Sequence, residues 1–259
     1  MAGDLVSATI RGGLFTRTVG RRVIFFQEIA STMDEAARLS KEGAAEGSVV
    51  VAETQTSGRG RFGRNWVSPG GNILMSVVFR PTLESLPFLS IMAGVAAVQT
   101  IRKTTGLAAK IKWPNDVMLD GKKVAGILVE SVMEGGAVCY AVLGIGLNVA
   151  LDPSQNQETS GVATSLEAAA GKPLAREDIL RQLLQDLDSL YLKLRQGQTP
   201  LEAWREMLET LGQRIQVTWR NETYAGVAEG IDELGNLQLR LEDGQLATMT
   251  AGDVTLRNS

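Results

Sequence analysis

Apolar and polar positions along the chain follow two periodicities in turn, and their order predicts an α+β fold. Short continuous apolar runs are typical of buried strands, whereas apolar positions three or four residues apart are typical of helices. Strands are predicted at residues 48–53, 72–79, 109–113, 117–119, 124–129 and 137–149. Helices are predicted at residues 32–39, 87–105, 179–194 and 200–212. The pattern therefore predicts a mixed sheet flanked by helices.

Capping residues and glycines mark where the predicted helices begin and end. Thr32 and Glu35 have the spacing of a capping box, in which side chains satisfy the free amides of a first turn. The same spacing recurs at residues 199–202, where Pro200 fits the first helical position. Gly106 predicts the end of the second helix, because glycine readily adopts the left-handed conformation of a C-terminal cap.

Turn-forming residues predict two hairpins and then a small all-β region. Asp120-Gly121 is a strong signal for a two-residue hairpin, and residues 134–136 (EGG) indicate a second one. Beyond Gly212, short alternating segments are separated by turn signals, including one at residues 220–221. This pattern predicts a small five-stranded barrel. Its strands are expected at residues 214–220, 223–231, 236–241, 246–250 and 254–257.

The chain has 259 residues, enough for one large domain and one small one, which we place at residues 1–211 and 212–259. With 44% hydrophobic and 21% charged residues, it has the composition of a globular protein. No signal peptide or membrane-spanning run is evident. Cys139 is the single cysteine, which excludes an intrachain disulfide and predicts a reducing compartment, the cytoplasm. Because it lies in an apolar run, Cys139 is interpreted as structural.

The chain contains no histidine. Ser-His-Asp and Cys-His catalysis, histidine bases and histidine metal ligands are therefore excluded, and a single cysteine excludes a structural zinc site. Chemistry must use Lys, Arg, Asp, Glu, backbone groups or an ion that arrives with the substrate, so no dedicated metal site is predicted. A net charge of −3 with a local cluster of arginines indicates a site, not a general nucleic-acid surface.

Residues 58–66 (GRGRFGRNW), named here the arginine loop, formally match the dinucleotide-binding pattern G-x-G-x-x-G. That pattern requires a helix directly after the glycines, since the helix N-terminus receives the pyrophosphate. Here Pro69, Gly70 and Gly71 follow, which makes a helix improbable. Glycines allow close approach of the backbone, and guanidinium groups bind carboxylate and phosphate. The segment predicts a mobile loop that closes over an anionic ligand, with a solvated surface loop as the alternative.

Three further segments carry residues suited to binding. Residues 112–116 (KWPND) combine a cation, an amide and a carboxylate, which can hold a phosphate, a base edge and Mg²⁺ or form an ordinary surface turn. Lys123 stands at the mouth of an apolar strand, where it can meet an anion or remain solvated. Alternate glycines in residues 144–149 (GIGLNV) either clear one face of a strand for a flat ligand or mark a bend.

Taken together, these segments resemble a known family. Residues 53–66 are similar to the signature loop of biotin protein ligases. Residues 112–116, 123–130 and 144–149 are similar to that family's other blocks, in the same order and at similar spacing. Each block alone is weakly specific, whereas four in sequence are highly specific. The resemblance covers nearly the whole chain, including the small C-terminal barrel.

The start of the first helix both matches and departs from the family pattern. Ser31 and Thr32 match the family's helix start, but Met33 stands where the family usually has asparagine. This weakens one expected polar contact to the biotin head group. Too few residues precede the catalytic domain for the helix-turn-helix domain of the regulatory members. The resemblance is therefore to the non-repressor type, for which no DNA partner is expected.

The resemblance implies an ATP-dependent ligase with a class II synthetase-like catalytic domain and a C-terminal barrel of the Src-homology-3 type. Biotin would be activated as biotinyl-5′-adenylate and passed to a lysine of a biotin carboxyl carrier domain, such as that of acetyl-CoA carboxylase. Biotin and ATP are the implied substrates, with Mg²⁺ carried by ATP, and no membrane is a partner. Homodimer formation is left open, because family members differ in it.

Site residues follow from the resemblance by motif position. Lys123, Arg59 and Lys112 are the implied catalytic residues, with Lys123 placed between the biotin carboxylate and the α-phosphate. The implied biotin-binding residues are Ser31, Thr32, Gln55, Gly58, Arg59, Gly60, Arg61, Lys123, Gly126 and Gly144. The implied ATP-binding residues are Arg64, Trp66, Lys112, Asn115, Asp116, Gly146 and Asn148.

Two other classes of function remain as alternatives. A lipoate or octanoate protein ligase would share the catalytic fold, by analogy between the families, but the arginine loop followed by Trp66 and the KWPND block favour biotin. A nucleic-acid-binding module could use the arginines and the small barrel. The net negative charge and the scarcity of aromatic residues near the arginine loop argue against it.

Overall fold

The structure, a computed structural model, describes residues 13–67, 69–155, 159–219 and 222–256. The predicted turn at 220–221 and the stretch 1–12 considered for a signal peptide lie outside these residues. The strands are β1 (Val23–Ile29), β2 (Val49–Gln55), β3 (Ile73–Phe79), β4 (Lys110–Lys112), β5 (Asp116–Leu119), β6 (Lys122–Glu134), β7 (Ala137–Leu147), β8 (Arg214–Trp219), β9 (Glu222–Ile231), β10 (Leu237–Leu241), β11 (Leu246–Met249) and β12 (Asp253–Leu256). The α-helices are α1 (Thr32–Lys41), α2 (Phe88–Thr105), α3 (Leu166–Ala170), α4 (Arg176–Arg195) and α5 (Leu201–Met207).

The larger sheet has seven strands in the order β1-β2-β3-β7-β6-β5-β4. β1 pairs in parallel with β2, and every other neighbouring pair is antiparallel. Helix α1 lies on one face, where Met33, Ala36 and Leu39 pack against side chains of β2, β3 and β7. Helices α2, α4 and α5 belong to the core on the other face. The predicted α+β fold with a mixed sheet flanked by helices is confirmed.

Helices on both faces explain why the central strands are continuously apolar. Every residue of β3 is buried, since its side chains point alternately into the two cores. Helix α2 is also buried on most of its surface, because it lies between the sheet and α4. Among the described residues, no helix combines the length and the apolar character needed to cross a membrane.

A second sheet follows, with five antiparallel strands in the order β11-β10-β9-β8-β12. The connection to it is held against the KWPND segment. The amide of Glu209 donates to the carbonyl of Ile111 at 2.9 Å, and the amide of Trp113 donates to Thr210 Oγ1 at 2.9 Å. The indole Nε1 of Trp113 donates to the carbonyl of Gly235, between β9 and β10, at 3.0 Å. The second sheet is thus fixed beside one end of the larger one.

Turn predictions that depend on positive φ angles are confirmed. Asp120 and Gly121 have φ of 48° and 73°, as a type I′ hairpin turn requires. The hairpin at residues 134–136 turns through Gly135 and Gly136, both with positive φ. Gly106 closes α2 in the left-handed conformation, and its amide donates to the carbonyl of Arg102.

Both predicted capping boxes are wrong. Residue 31, not Thr32, caps α1, and the Thr32 side chain bonds to strand β2 instead. Pro200 is the cap of α5 and not its first residue, and no side chain caps that helix. Helix α5 also ends at Met207, before the predicted Gly212, because the chain there becomes extended and pairs with β4. At the start of α1 and at the end of α5 a tertiary partner was available, and its hydrogen bonds replaced the local ones.

Two elements have no counterpart in the sequence-based prediction. Strand β1 lies at the edge of the larger sheet and is only half buried. Polar residues therefore interrupt its apolar run, and the pattern of a buried strand is incomplete. Helix α3 has five residues, too few to show a helical period.

Candidate active site

One cavity of about 470 Å³ lies on the larger sheet beneath the arginine loop. All of the implied biotin- and ATP-binding residues line it except Gly58. Gly58 is buried and takes part in the loop's own folding, since its carbonyl accepts a hydrogen bond from the Trp66 amide at 2.9 Å. A bridge between Arg59 and Asn65 and the bond from the Gly60 amide to the Arg64 carbonyl complete a small closed loop. The backbone beside these glycines therefore forms one wall of the cavity.

Arg59 joins three elements around the cavity. Its guanidinium makes a bidentate contact with Glu130 of β6, through Nε at 3.0 Å and Nη2 at 2.8 Å. Nη1 lies 2.7 Å from Asp34 Oδ1 and donates to Ser31 Oγ at 3.2 Å. The hydrogen bonds that Arg59 donates to Glu130 and Asp34 raise the pKa of Arg59 above its ordinary value, despite partial burial. The Arg59 side chain fastens the arginine loop to helix α1 and to β6.

Arg61 and Arg64 connect the arginine loop to the second sheet. Arg61 Nη1 donates to Asn115 Oδ1 at 3.1 Å and to the Gly252 carbonyl at 3.2 Å. Burial lowers the pKa of Arg61, although Asp253 and another nearby carboxylate oppose this shift. Arg64 forms an ion pair with Asp253, the first residue of β12. Residues of the C-terminal sheet thus border the cavity.

Lys123 lines the cavity, and a neighbouring carboxylate holds its ammonium group. Its Nζ lies 2.6 Å from Asp116 Oδ1 and 5.3 Å from the centre of the Trp66 ring. Its backbone is held by a short parallel bridge, in which the Lys123 amide donates to Val162 and the Lys123 carbonyl accepts from Thr164. Both the backbone and the side chain of Lys123 are therefore fixed by hydrogen bonds at the wall of the cavity.

The glycines at the sheet surface make room for side chains of the chain itself. A Cβ atom at Gly126 would lie 2.7 Å from Cζ3 of Trp66, and one at Gly146 would lie 2.5 Å from its Nε1. A Cβ at Gly144 would lie 2.5 Å from Met33 Sδ. The space above Gly126 and Gly146 is occupied by the indole of Trp66, a residue of the protein itself, so the prediction of a flat ligand on this face stays a prediction.

At the end of the cavity next to helix α1, neutral polar groups form a hydrogen-bonded network. Gln55 Oε1 accepts hydrogen bonds from the Thr32 amide at 2.7 Å and from Thr32 Oγ1 at 3.0 Å. Thr32 Oγ1 in turn accepts from Ser76 Oγ of β3 at 2.8 Å. Ser76 is fully buried and was not singled out from the sequence, because a serine inside an apolar strand carries no distinctive pattern.

The polar side chains on the Lys112 side of the cavity are held by backbone groups. Asn115 Nδ2 donates to the Ile127 carbonyl at 2.6 Å, which leaves its Oδ1 to accept from the arginine loop. Asn148 Nδ2 donates to the Thr164 carbonyl at 3.1 Å. Both amides are therefore fixed in orientation. Lys112 lines the same wall.

Several lining residues were not predicted as site residues. They are Met33, Asn65, Val67, Met75, Met118, Gly121, Ile127, Leu128, Ile145, Leu151, Thr159, Gly161, Val162, Ala163 and Asp253. Five of these fifteen, Met75, Met118, Ile127, Leu128 and Ile145, are apolar residues of predicted strands, and which of their side chains face the cavity depends on the register of the sheet. Most of the others lie in loops, where no periodic pattern marks a residue as part of a site. Within the described part of the chain, no group of three or more His, Cys, Asp or Glu side chains is placed to hold a metal ion.

Two family models match the chain. The model of the biotin/lipoate A/B protein ligase family matches residues 25–148, and that of the biotin protein ligase C-terminal domain matches residues 210–257. The bifunctional ligase/repressor BirA of Bacillus subtilis is 37% identical over 248 residues, covering 93% of this chain and 76% of that protein. The biotin–[acetyl-CoA-carboxylase] ligase of Paracoccus denitrificans is 36% identical over 218 residues, covering 81% and 90%.

A solved structure of the biotin protein ligase from Aquifex aeolicus, in complex with biotin and ATP, superimposes with a TM-score of 0.77. It shares 27% sequence identity, and the alignment covers 92% of this chain and all of that one. Both family models, these relatives and the similarity in fold agree, and the chain belongs to the biotin protein ligase family.

Proposed function

We propose that the chain is an ATP-dependent ligase that activates biotin as biotinyl-5′-adenylate and transfers it to a lysine of a biotin carboxyl carrier domain. The observation that carries this proposal is the convergence of Lys112, Lys123 and the three loop arginines around one cavity. Two anions, a carboxylate and a triphosphate, must be brought together in the first step. Fixed cations lower the cost of that approach, and no nucleophile from the protein is needed.

The biotin side of the cavity is proposed to lie between helix α1 and the arginine loop. Ser31, Thr32 and Gln55 supply hydroxyl and amide groups, and residues 59–61 of the arginine loop line the cavity beside them. Met33 narrows this end by resting on Gly144, and it offers a thioether where an amide would offer hydrogen bonds. We propose that apolar contact replaces one polar contact to the head group here.

The ATP side is proposed to lie between Trp66, the KWPND segment and Asn148. Trp66 presents an aromatic surface on which a base can stack. Arg64 and Lys112 supply positive charge for the phosphates. Mg²⁺ would arrive bound to ATP. When Lys123 binds the substrate and leaves Asp116, the carboxylate of Asp116 would become available to the ion.

In the first step, an oxygen of the biotin carboxylate attacks the α-phosphorus of ATP, and the bond to pyrophosphate breaks. In the second step, the lysine amine of the carrier attacks the acyl carbon, AMP leaves, and the amine loses a proton. Lys123 stabilises negative charge on the carboxylate and the α-phosphate. Closure of the arginine loop excludes water from the reactive anhydride.

We further propose that residues 1–211 form the catalytic domain and residues 212–259 the small C-terminal domain. The change from the seven-stranded to the five-stranded sheet supports this division. The single cysteine supports a reducing compartment, which we propose to be the cytoplasm.

The test is ATP-dependent transfer of labelled biotin to a purified carrier domain. We expect ATP–pyrophosphate exchange that depends on biotin and that excess lipoate does not inhibit. Exchange driven by lipoate and not by biotin would assign the chain to the lipoate ligases instead. Absence of exchange with either acid would reject adenylate formation.

A further inference from the structure

The chain segments before and after the arginine loop meet at the carboxylate of Glu53. Glu53 lies in β2, five residues before the loop, and Gly71 follows it. Glu53 Oε1 accepts hydrogen bonds from the Gly71 amide at 2.7 Å and from Arg176 Nη1 at 2.8 Å. A Cβ at Gly70 would lie 3.0 Å from the same oxygen, so the returning chain passes close to the carboxylate. Hydrogen bonds to the Glu53 carboxylate thus hold together the chain before the arginine loop, the chain after it and helix α4.

Arg176 and Asn72 extend this contact into the protein interior. Arg176, the first residue of α4, is only 5% exposed, and its Nη1 also donates to the Asn72 carbonyl at 3.2 Å. Asn72 is completely buried, and its Oδ1 accepts from the amides of Val149 at 2.9 Å and Ala150 at 3.3 Å. Its Nδ2 donates to the Pro69 carbonyl at 3.1 Å. The cluster therefore connects the chain that follows the arginine loop to Val149 and Ala150, which follow β7.

The charges in this cluster are matched. Burial alone would raise the pKa of Glu53, but the hydrogen bonds from Arg176 and Gly71 outweigh it, and the pKa lies below its ordinary value. A buried ion pair contributes little net stability compared with apolar residues of the same size, whereas a buried charge without its partner is costly. Because such a pair adds little stability, its main effect here is the geometry that it fixes.

The cluster is connected to residues on both sides of the cavity without lining it. Gln55 stands two residues after Glu53 in β2, and Asn148 directly precedes Val149. Both line the cavity, whereas Glu53, Asn72 and Arg176 do not. A shift in the cluster would move the two walls relative to each other and would loosen the loop above them.

We propose that Glu53, Arg176 and Asn72 are positioning residues that anchor the arginine loop and keep the activated intermediate in the cavity until transfer. The reacting atoms are not touched by any of the three. This inference rests on the proposed ligase function, because it concerns retention of the adenylate. Its structural part, the anchoring of the loop, can be measured independently of any activity.

The test compares the double variant E53Q/R176M with K103M/D186N. The control removes an ion pair of 2.5 Å between α2 and α4, with one buried partner, and neither of its residues lines the cavity. Trypsin cleavage of the ligand-free proteins after Arg59, Arg61 and Arg64 is followed by mass spectrometry. We expect E53Q/R176M to be cut in the loop about tenfold faster than the control at equal temperature below unfolding.

The second readout is release of biotinyl-adenylate into solution per biotin transferred to the carrier. We expect this ratio to rise about tenfold in E53Q/R176M and to stay at the wild-type value in the control.

Loop cleavage within about twofold of the control overturns the anchoring role, whatever the activity. If the double variant does not fold, E53Q alone is measured in the same way, since its amide oxygen can still accept from Gly71. A wild-type protein that forms no adenylate rejects the ligase proposal but leaves the cleavage comparison valid.

Discussion

The indole ring of Trp66 lies directly on Gly146, so that a Cβ atom at that position would be 2.5 Å from the indole Nε1. Real Cβ atoms do not approach other atoms so closely, and only glycine is compatible with this arrangement. Trp66 belongs to the arginine loop and Gly146 to β7. Contact between them joins the loop to the floor of the cavity and places an aromatic surface on the proposed ATP side.

Replacing Gly146 with alanine should push Trp66 off the sheet. Overpacking of this kind costs typically about 1–3 kcal/mol. We expect the KM for ATP in pyrophosphate exchange to rise about tenfold, with a smaller change in the KM for biotin. Gly230→Ala is the matched control, because a Cβ at that strand glycine would meet nothing within 4 Å. Equal behaviour of the two variants would contradict a role for the Trp66 contact.

Removal of the central cation should stop the first chemical step. In Lys123→Ala we expect loss of ATP–pyrophosphate exchange by roughly two orders of magnitude or more, in the range seen when one charge-stabilising group is removed. Near-ultraviolet circular dichroism should remain that of the folded protein, since Lys123 is partly exposed. Exchange at the wild-type rate would refute the proposed role.

The packing of Met33 on Gly144 predicts a compensating pair of substitutions. Gly144→Ala brings a Cβ atom to 2.5 Å from Met33 Sδ, and the flexible side chain must move into the cavity. We expect weaker biotin binding, measured by isothermal titration calorimetry. Adding Met33→Ala removes the clash and should restore part of the affinity. The coupling energy in the double-mutant cycle should be about 1 kcal/mol, and strict additivity would show that the two residues do not interact.

The exposed pair between Arg64 and Asp253 should affect function more than stability. Their side chains are 61% and 45% exposed, and such pairs contribute about 0–1 kcal/mol. Asp253→Asn should therefore leave the melting temperature nearly unchanged. Because it removes one of the two contacts between the arginine loop and the second sheet and leaves the bond from Arg61 to Gly252, we expect the KM for ATP to rise severalfold. Glu229→Gln, which breaks another exposed pair in the same sheet, is the control and should have no such effect.

Glu209 predicts a pH-dependent change in stability. Its Oε1 is buried and has no hydrogen-bond partner among the described residues. Burial raises the pKa of Glu209, although Lys110 and Lys112 oppose the shift. A carboxyl group with a raised pKa in the folded state stabilises that state at low pH, and this contribution is lost as the pH rises through the raised value.

The variant Glu209→Gln should therefore melt at a higher temperature than the wild-type protein at pH 7.5. The difference should disappear below about pH 4, where the carboxyl group is protonated in both the folded and the unfolded state. Differential scanning calorimetry across this range checks the prediction. A variant less stable than the wild type at pH 7.5 would show that attraction to the lysines outweighs burial.

Local backbone rules account for the features that could be predicted from the sequence. The hairpin at Asp120-Gly121 and the end of α2 at Gly106 follow from positive φ angles that few residues adopt. The rejection of a dinucleotide-binding loop followed from Pro69 and Gly70, and the chain there indeed leads into a strand. The four family blocks also identified residues that line the cavity, because each residue was named from its position in a motif.

Other features depended on partners that are distant in the sequence. Thr32 was expected to cap its own helix, but Gln55 from β2 offers a better-placed acceptor. Arg59 was expected to face the ligand, yet its guanidinium is also held by Asp34 and Glu130. The role of Asp253 as a border of the cavity required the second sheet to be placed against the first.

The amino-acid sequence by itself determined the fold class, the tight turns and the segments that carry the chemistry, because these depend on periodicity, on φ angles and on residue type. Only the tertiary structure decided which charged and polar groups face one another across the cavity. The physical reason is that a side chain binds the partner with the best geometry among all groups brought near it. That set of groups exists only after the sheets and helices have packed.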